Sequence, residues 1–332
     1  MIRFVVHAAH RLTMLPYLER WAGAFRSHIE LVSYDQIFRA TRLPLRAHVF
    51  TDIERLGAED LERAAKLFEA LRSASPELPL LNHPLRVRRR YELLRTLHDV
   101  GINDFNVYRL SEARKPRRFP VFLRSENDHA GPETDLIASQ ADLDVAVEAL
   151  ASDGRSRETR IAVEYSAEPG SDGLFRKFAA FSVNGEVIPR HVMFSRGWLV
   201  KGATKTVTEA TEAEQLAYVR ENPHADWIRS VFELACIDYG RIDYGIVAGR
   251  LQAFEINSNA TIVPAEVTER SERNEHFTAL LTRAFENLEK RGSESAHSAS
   301  YARLDKPVLR WTGRMASLVL EKAFSRQLRR PV

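Results

Sequence analysis

Two carboxylates and one amide near residue 250 are the side chains of this sequence best suited to chemistry. Asp243 precedes the turn Ala248-Gly249-Arg250, and Glu255 and Asn257 follow it. Strand-forming residues flank this turn, and a three-residue loop with glycine is a common hairpin closure. Such a loop pairs Asp243 with Glu255 and places Arg241, Asp243, Glu255 and Asn257 on one face. The opposite face then holds the apolar residues Ile242, Tyr244, Ile246, Phe254 and Ile256.

Opposed carboxylates on paired strands indicate a bound cation. Their Cβ atoms lie only about 4.5 to 5.5 Å apart, so the two charges repel unless a cation lies between them. Oxygen-only ligands suit Mg²⁺, which takes few protein ligands and completes its coordination with water and nucleotide phosphate. The hairpin therefore predicts a magnesium and nucleotide site. The alternative is a surface hairpin that carries two solvated acids.

The segment Gly240-Arg241-Ile242-Asp243-Tyr244, with Phe254-Glu255-Ile256-Asn257 after it, resembles the closing signature of the ATP-grasp superfamily. This superfamily includes D-alanine–D-alanine ligase, glutathione synthetase and the ligases that add glutamate to a ribosomal protein. Its Asp and Glu-x-Asn residues bind the magnesium ions that bridge the ATP phosphates. The resemblance implies that Asp243, Glu255 and Asn257 are metal ligands, and that ATP and Mg²⁺ are the cofactors.

Three upstream segments follow in the order of the family. Residues 82–102 resemble the helix that opens the ATP-grasp domain, and Phe119-Pro-Val-Phe-Leu-Arg124 resembles a strand that ends in lysine in the family. A polar loop over residues 125–132 stands where relatives close a loop over the phosphates. Residues 161–165 resemble the hinge strand that binds adenine. The resemblance covers residues 82–290, about two thirds of the chain.

The resemblance also implies nucleotide contacts. Arg90 and Arg124 stand where the family usually has phosphate-binding lysines, and arginine is always charged and binds phosphate bidentately. Glu164 and Asp172 are candidates for the ribose or the adenine amine. Lys177 is a candidate for the base or the α-phosphate.

Two residues are candidates for the chemical step. Lys201 lies in a loop, residues 197–205, that relatives use to reach the γ-phosphate. Arg241 would stabilise the acyl phosphate or the tetrahedral oxyanion, a role that suits a fixed guanidinium. The alternative for Arg241 is a salt bridge to Asp243 or Glu255. Residues 257–264 lack the Pro-Gly that many ligases have after the Asn. The resemblance therefore does not define the geometry on the substrate side of the site.

The predicted fold class is α/β (α+β), with the ATP-grasp fold. Two α+β subdomains grip ATP in this fold, and a small α/β domain precedes them. The predicted boundaries are 1–81 for the N-terminal domain, 82–165 for the first subdomain, 166–290 for the second subdomain with the metal site, and 291–332 for a flexible linker and a basic amphipathic helix.

Local patterns predict several individual elements. Residues 1–6 and 47–52 favour strands, and apolar residues at helical spacing predict a helix over residues 58–72. Another helix is predicted over residues 141–152. Asn184-Gly185 lies between two strand-like runs and predicts a hairpin, because both residues accept the left-handed conformation of a two-residue turn.

Composition indicates an ordinary soluble protein. The chain has 332 residues, 44% of them hydrophobic and 28% charged. The single cysteine, Cys236, excludes internal disulfides, and its apolar neighbours predict a buried helical position. Neither a signal peptide nor an apolar stretch of spanning length is present, so a cytoplasmic location is expected.

The positive charge is concentrated near the end of the chain. Residues 301–332 hold eight Lys or Arg against two acids, a net charge of +6, so a total of +3 leaves −3 for the first 300 residues. Residues 307–330 interleave these charges with apolar side chains, which predicts an amphipathic helix. Docking on its own domain, on a partner protein or on a membrane surface remain alternatives for this helix. Nucleic acid binding is not expected.

The resemblance implies an ATP- and Mg²⁺-dependent carboxylate–amine ligase. The substrates would be a small-molecule or peptide carboxylate, activated as an acyl phosphate, and an amine that displaces the phosphate. Two alternatives remain open: a phosphotransferase on a small molecule, and a nucleotide-binding protein without turnover. Assembly as a homodimer is also left open.

Overall fold

The computed structural model describes residues 1–201, 206–295 and 301–304, and it begins with a small parallel sheet. The first elements are β1 (Ile2–Val6), α1 (Leu15–Arg20), β2 (Ile29–Ser33), α2 (Tyr34–Phe38), β3 (Arg42–Pro44), β4 (His48–Phe50), α3 (Ala58–Ala74) and β5 (Leu80–Leu81). The sheet has the order β2-β1-β4-β5, with all neighbours parallel. Its strands are mainly apolar on both faces, as expected of a parallel sheet that is covered on both sides. The exception is a polar row across three strands, Arg3, Glu30 and His48.

Alternate side chains of β1 belong to two separate hydrophobic cores. Val5 packs in one core with Phe68 of α3. Phe4 packs in the other, with its ring centroid 5.5 Å from that of Phe285. Successive side chains of a strand point to opposite faces, so a single strand serves both cores.

The middle of the chain forms a three-stranded antiparallel sheet. Its elements are α4 (Arg90–Asp99), β6 (Val107–Arg109), β7 (Val121–Ser125), α5 (Gln140–Ser152) and β8 (Arg160–Glu164). The strand order is β6-β8-β7, and we call this the small grasp sheet. Ser139 caps the start of α5, because its side chain accepts a hydrogen bond from the backbone N–H of Asp142.

A four-stranded antiparallel sheet follows, which we call the large grasp sheet. Its elements are β9 (Phe175–Val183), β10 (Glu186–Ser195), α6 (Glu209–Glu221), α7 (Ala225–Ala235), β11 (Tyr239–Val247) and β12 (Arg250–Asn257). The order is β10-β9-β11-β12. The chain continues through α8 (Glu272–Ser295) and β13 (Tyr301–Arg303), and β13 pairs with β3.

The hairpin predicted at Asn184-Gly185 is confirmed. Both residues have positive φ, 50° and 86°, and they join β9 to β10. A turn with two left-handed residues matches the natural twist of the paired strands. The first strand and the helices predicted over 58–72 and 141–152 are also confirmed.

The pairing of Asp243 with Glu255 is confirmed, but the predicted three-residue loop is wrong. Ala248 and Gly249 alone form the turn, with φ of 47° and 73°, and Val247 pairs with Arg250. A shift of register between Asp243 and Tyr244 then restores the predicted pairing. The extra residue on β12 is Phe254, which lines the central cavity instead of joining the opposite face. A β-bulge inserts one residue and redirects the side chains after it.

Two further expectations need correction. The linker predicted from residue 291 is helical as far as Ser295, and residues 301–303 form a strand. Gly292 is a packing position there, because a Cβ atom on it would lie 3.0 Å from the backbone nitrogen of Ala47. Cys236 is exposed, because it ends α7 in the left-handed conformation. The amphipathic helix predicted over residues 307–330 lies outside the described residues.

The domain boundaries predicted at residues 82, 166 and 291 stay predictions. In the part of the chain that the structure describes, no helix has both the length and the apolar character needed to cross a bilayer.

Asn82 joins the N-terminal sheet to the large grasp sheet. Its Nδ2 donates to the carbonyl oxygens of Phe50 at 2.9 Å and Tyr239 at 2.8 Å. Its Oδ1 accepts from the backbone N–H groups of Asp238 at 2.8 Å and Tyr239 at 2.9 Å. Asn82 is fully buried, so all four groups depend on it for their hydrogen bonds. The end of β4 is thereby fixed against the start of β11.

Replacing Asn82 by alanine should lower the free energy of unfolding by about 3 kcal/mol or more, because each buried backbone group left without a partner costs about 1–3 kcal/mol. Urea unfolding measures this change. Asn287→Ala is the matched control, because the Asn287 amide makes an exposed bond to Glu186. A loss below about 1 kcal/mol for Asn82→Ala, similar to that of the control, would contradict the assigned role.

Candidate functional site

A cavity of about 430 Å³ is lined by residues of both grasp sheets. One group of lining side chains is charged or polar: Arg124, Lys177, Arg241, Asp243, Glu255 and Asn257. A second group is apolar: Phe105, Phe122, Val163, Tyr165, Trp198 and Phe254. Ligand sites combine an apolar wall with a few polar groups in this way, so the cavity is the candidate site.

Asp243 is ionised by its neighbours on the large grasp sheet. Its Oδ1 accepts from Arg241 Nε at 2.8 Å, and its Oδ2 lies 3.2 Å from Lys177 Nζ. Burial opposes ionisation, but the charges of Arg241 and Lys177 outweigh it and hold the pKa of Asp243 below its usual value. The salt bridge considered for Arg241 is therefore present.

Glu255 is bound by two arginines from the other side of the cavity. Its Oε2 accepts from Arg90 Nη2 at 2.6 Å and from Arg124 Nη2 at 3.1 Å. Burial again opposes ionisation, and the charges of Arg90 and Arg124 outweigh it, so the pKa of Glu255 lies well below its usual value. Glu255 thereby connects the small grasp sheet to the large one.

Four cations surround the two opposed carboxylates, and the Asp128 carboxylate also interacts with Arg90 and Arg124, so the cluster keeps an excess of one positive charge. The repulsion that the sequence suggested is relieved by side chains of the chain itself. The excess charge makes this end of the cavity attractive to a polyanion such as a polyphosphate.

The donor set at this end consists of oxygen atoms. Among the described residues, none donates a hydrogen bond to Glu255 Oε1, and Asn257 Oδ1 accepts only the backbone N–H of Asn259, at 2.8 Å. The described residues contain no group of three or more His, Cys, Asp or Glu side chains placed to hold a metal ion. Two carboxylates and an amide fit a hard cation that takes its remaining ligands from phosphate and water.

Arg90 lies beneath the loop of residues 125–132 and is not among the cavity-lining residues. Its Nη1 donates to the carbonyl oxygens of Ser125 at 3.1 Å, Glu126 at 2.9 Å and Asp128 at 2.7 Å. Arg90 was expected to contact a phosphate. Its Nη1 and Nη2 groups shape the loop and hold Glu255, whereas its Nε has no hydrogen-bond partner among the described residues. The phosphate contact stays a prediction.

Lys201 and Arg124 do line the cavity. Lys201 Nζ donates to the carbonyl oxygen of Ala130 at 2.7 Å, so it reaches the loop of residues 125–132. Gly131 has φ of 102°, and a Cβ atom there would collide with the end of the Lys201 side chain. The positive φ favours glycine at this position, and a side chain there would also displace the end of Lys201.

Of the two acids predicted to bind the ribose or adenine, only Glu164 lines the cavity. It is 3% exposed, and it accepts from Tyr108 Oη at 2.9 Å, the Asn106 backbone N–H at 3.0 Å and Arg118 Nε at 3.1 Å. Asp172 is not among the cavity-lining residues, although it forms an ion pair at 2.8 Å with Arg176, which does line the cavity. A role of Asp172 at the nucleotide stays a prediction.

A hydrogen-bonded chain beside the cavity was not predicted. His129 Nε2 lies 2.9 Å from Glu54 Oε1, and Ser258 Oγ donates to Glu54 Oε2 at 2.8 Å. The chain joins the N-terminal domain, the loop of residues 125–132 and the segment after β12. His10 lies near the same place, 3.4 Å from Asp52, whose pKa is raised to about 6 by burial. No motif could have indicated these pairs, because their partners are far apart in sequence.

Removing Arg90 should destabilise the protein itself. Arg90→Ala leaves three loop carbonyls and part of the charge of Glu255 without a partner, so the free energy of unfolding should fall by about 3–5 kcal/mol. Chemical denaturation of the protein without ligand measures it. Arg89→Ala, at a neighbouring half-buried residue without a capping hydrogen bond, should change stability by less than about 0.5 kcal/mol. Equal stability of the two variants would contradict the structural role assigned to Arg90.

Comparison with known proteins supports the architecture. By sequence, neither a family model nor a curated protein matches the chain. By structure, a D-alanine–D-alanine ligase from Bacillus anthracis complexed with ATP has a TM-score of 0.52 and 13% identity, over 88% of this chain and 98% of that one. A second structure of that ligase has a TM-score of 0.53 and 15% identity, over the same shares of the two chains.

The D-alanine–D-alanine ligase from Coxiella burnetii has a TM-score of 0.52 and 11% identity, over 99% of both chains. The likeness covers 88% of this chain in the first two structures and 99% in the third. The predicted fold class is confirmed, and the chain has the ATP-grasp fold.

Proposed function

We propose that the protein is an ATP- and Mg²⁺-dependent ligase that joins a carboxylate to an amine. The observation that carries the proposal is the cluster of two opposed carboxylates and four cations at one end of a cavity with an apolar wall. A nucleotide also has an apolar part and a charged part, because its base is aromatic and its phosphates are anionic. The similar structures support the reaction class, since they are ligases, one of them with ATP.

The nucleotide is proposed to lie with its base against the apolar group and its phosphates against the cations. Arg124, Lys177 and Lys201 line the cavity and carry the charge for the phosphates. Glu164 already accepts several hydrogen bonds from protein groups. It would therefore fix the backbone that forms the wall of the site and would not contact the nucleotide directly. Glu168, an exposed residue that also lines the cavity, is a better placed acceptor for the ribose than Asp172.

Asp243, Glu255 and Asn257 would hold Mg²⁺. The bound ion would neutralise phosphate charge during phosphoryl transfer. This assignment is supported by Glu255 Oε1, which accepts no hydrogen bond from the described residues, and by the common cavity face of the three residues.

In the proposed reaction a substrate carboxylate oxygen attacks the γ-phosphorus, and ADP leaves. The acyl phosphate is then attacked at carbon by an amine, which loses a proton and displaces inorganic phosphate. Arg241 lines the cavity beside Asp243 and would stabilise the anionic oxygen that forms at each stage. We propose small-molecule or peptide carboxylates and amines as the substrates.

Glu255→Gln should lower Mg²⁺-dependent ADP formation by about 10²-fold or more, because it removes a charged metal ligand but keeps the side-chain shape. Coupled ADP detection with pools of amino acids as substrates measures turnover, and a thermal melt establishes that the variant is folded. Glu59→Gln, at an exposed position on α3, is the control. Unchanged turnover and Mg²⁺ dependence in folded Glu255→Gln would show that the metal assignment is wrong.

Hydroxylamine should trap the activated carboxylate as a hydroxamate and release phosphate, because an acyl phosphate is electrophilic at carbon. Arg241→Ala should reduce this trapping by about 10²-fold, the loss typical of one preorganised oxyanion donor. Arg241→Lys serves as the matched variant, since it keeps the charge beside Asp243. A stable phosphorylated product that does not react with hydroxylamine would favour the phosphotransferase instead.

A further inference from the structure

Arg190 is a buried guanidinium without a carboxylate partner among the described residues. It is 4% exposed. Its Nε donates to the carbonyl oxygen of Ile262 at 3.0 Å, and its Nη1 donates to Asn274 Oδ1 at 3.3 Å. The guanidinium carbon lies 4.5 Å from the centroid of the Phe277 ring. None of these groups carries a charge, whereas buried charges in proteins are normally paired.

The neighbours of Arg190 add positive charge instead of balancing it. Burial, and then the charges of Arg273 and Arg241, lower the pKa of Arg190 to about 9, so it stays charged at neutral pH. Arg273 lies at the start of α8, and its Nε is buried without a hydrogen-bond partner among the described residues. Glu212 acts on the pKa of Arg273 from a distance but forms no ion pair with it. Two guanidinium groups that lack an ion pair therefore lie close together.

His191 follows Arg190 on β10 and faces the same side of the large grasp sheet as Asp243. Arg190 is the extra residue of a bulge, and His191 then pairs with Ala179, which pairs with Asp243. Neighbouring strands lie about 4.8 Å apart, so His191 is about 10 Å from Asp243 across the sheet. Burial and the charges of Arg190 and Arg241 hold the pKa of His191 well below its usual value. The ring is therefore neutral, and a neutral imidazole still donates one hydrogen bond.

These three residues lie apart from the proposed metal ligands. Glu255 pairs with Asp243 from one side, and His191 lies two strands away on the other side. None of the three lines the cavity described above, but Met193, two residues after His191 on the same strand, does. The group therefore borders the cavity at the end that is opposite to Glu255.

We propose that Arg190, His191 and Arg273 form a subsite for a second anionic group, a carboxylate or a phosphate, on the substrate whose carboxylate is activated. The inference rests on the proposed ligase function and narrows its substrates to those with two anionic groups. Arg241 is not part of this subsite, because its guanidinium is bound to Asp243. A substrate with an uncharged group at this position would leave both guanidinium charges unpaired, so the subsite discriminates against it.

The alternative is that Arg190 only ties the segment after β12 to α8, through Ile262 and Asn274. In that case its replacement would lower stability and have no effect on the choice of substrate. Arg273 separates the two cases, because it is partly exposed and its Nε makes no hydrogen bond to the described residues. Replacing Arg273 removes charge from the subsite and leaves the ties of Arg190 in place.

The test is calorimetric titration into protein that is saturated with ADP and Mg²⁺. The probes are succinate, glutarate, adipate and 3-phosphonopropionate, and the monoamides of the three diacids are the matched ligands with one uncharged end. At least one dianion should bind at least tenfold more tightly than its monoamide, or than glutaramate in the case of the phosphonate. The arms with diacids and with phosphonate distinguish a carboxylate from a phosphate.

Arg273→Gln should reduce this preference to less than about threefold, and Arg190→Gln should do the same if it folds. Arg283→Gln is the matched control, since Arg283 is exposed on the same helix, and it should keep the wild-type preference. A thermal melt establishes that Arg273→Gln is folded, and its affinity for ADP shows whether the nucleotide site is intact.

Three results would contradict these statements. If ADP and Mg²⁺ bind but no dianion binds better than its uncharged partner, the inference is overturned and the proposed ligase stands. A preference that survives in full in Arg273→Gln would arise at the phosphate end of the cavity and would also overturn the inference. Wild-type protein that does not bind ADP with Mg²⁺ would contradict the proposed function, and the inference with it.

Discussion

Burying two carboxylates opposite each other on paired strands is the constraint on which the rest of the site depends. Neither charge is tolerable inside the protein unless cations are held beside it. The structure takes these cations from four separate elements: Arg90 from α4, Arg124 from β7, Lys177 from β9 and Arg241 from β11. Both grasp sheets must therefore close on the same point, and the cavity between them follows from that closure.

This arrangement depends on strand register. A shift of one residue on β12 would turn Glu255 away from Arg90 and Arg124. The turn at Ala248-Gly249 alone would give that wrong pairing, and the bulge at Phe254 corrects it. The bulge also brings an aromatic ring to the cavity, so a single inserted residue serves both the charged end and the apolar wall.

Sequence reasoning succeeded where the signal was local. The turn at Asn184-Gly185 follows from residue conformations. The Asp243–Glu255 pairing was predicted from a loop that is one residue too long, and the bulge that produces the pairing was not predicted. Sequence reasoning failed where contacts join distant segments. The bond between His129 and Glu54 and the use of Arg90 by loop carbonyls depend on how whole elements pack. No spacing pattern encodes such contacts, so the bonds from Arg90 to the loop carbonyls were not predicted.

The positive excess around Asp243 and Glu255 also links folding to the composition of the solution. Cations confined near one another repel, and any anion that binds the folded site but not the unfolded chain shifts the folding equilibrium toward the native state. The unliganded protein therefore has an intrinsic sensitivity to phosphate, sulfate and ionic strength. Its stability is a property of the chain together with the anions in the buffer, and comparisons between preparations are meaningful only when those anions are matched.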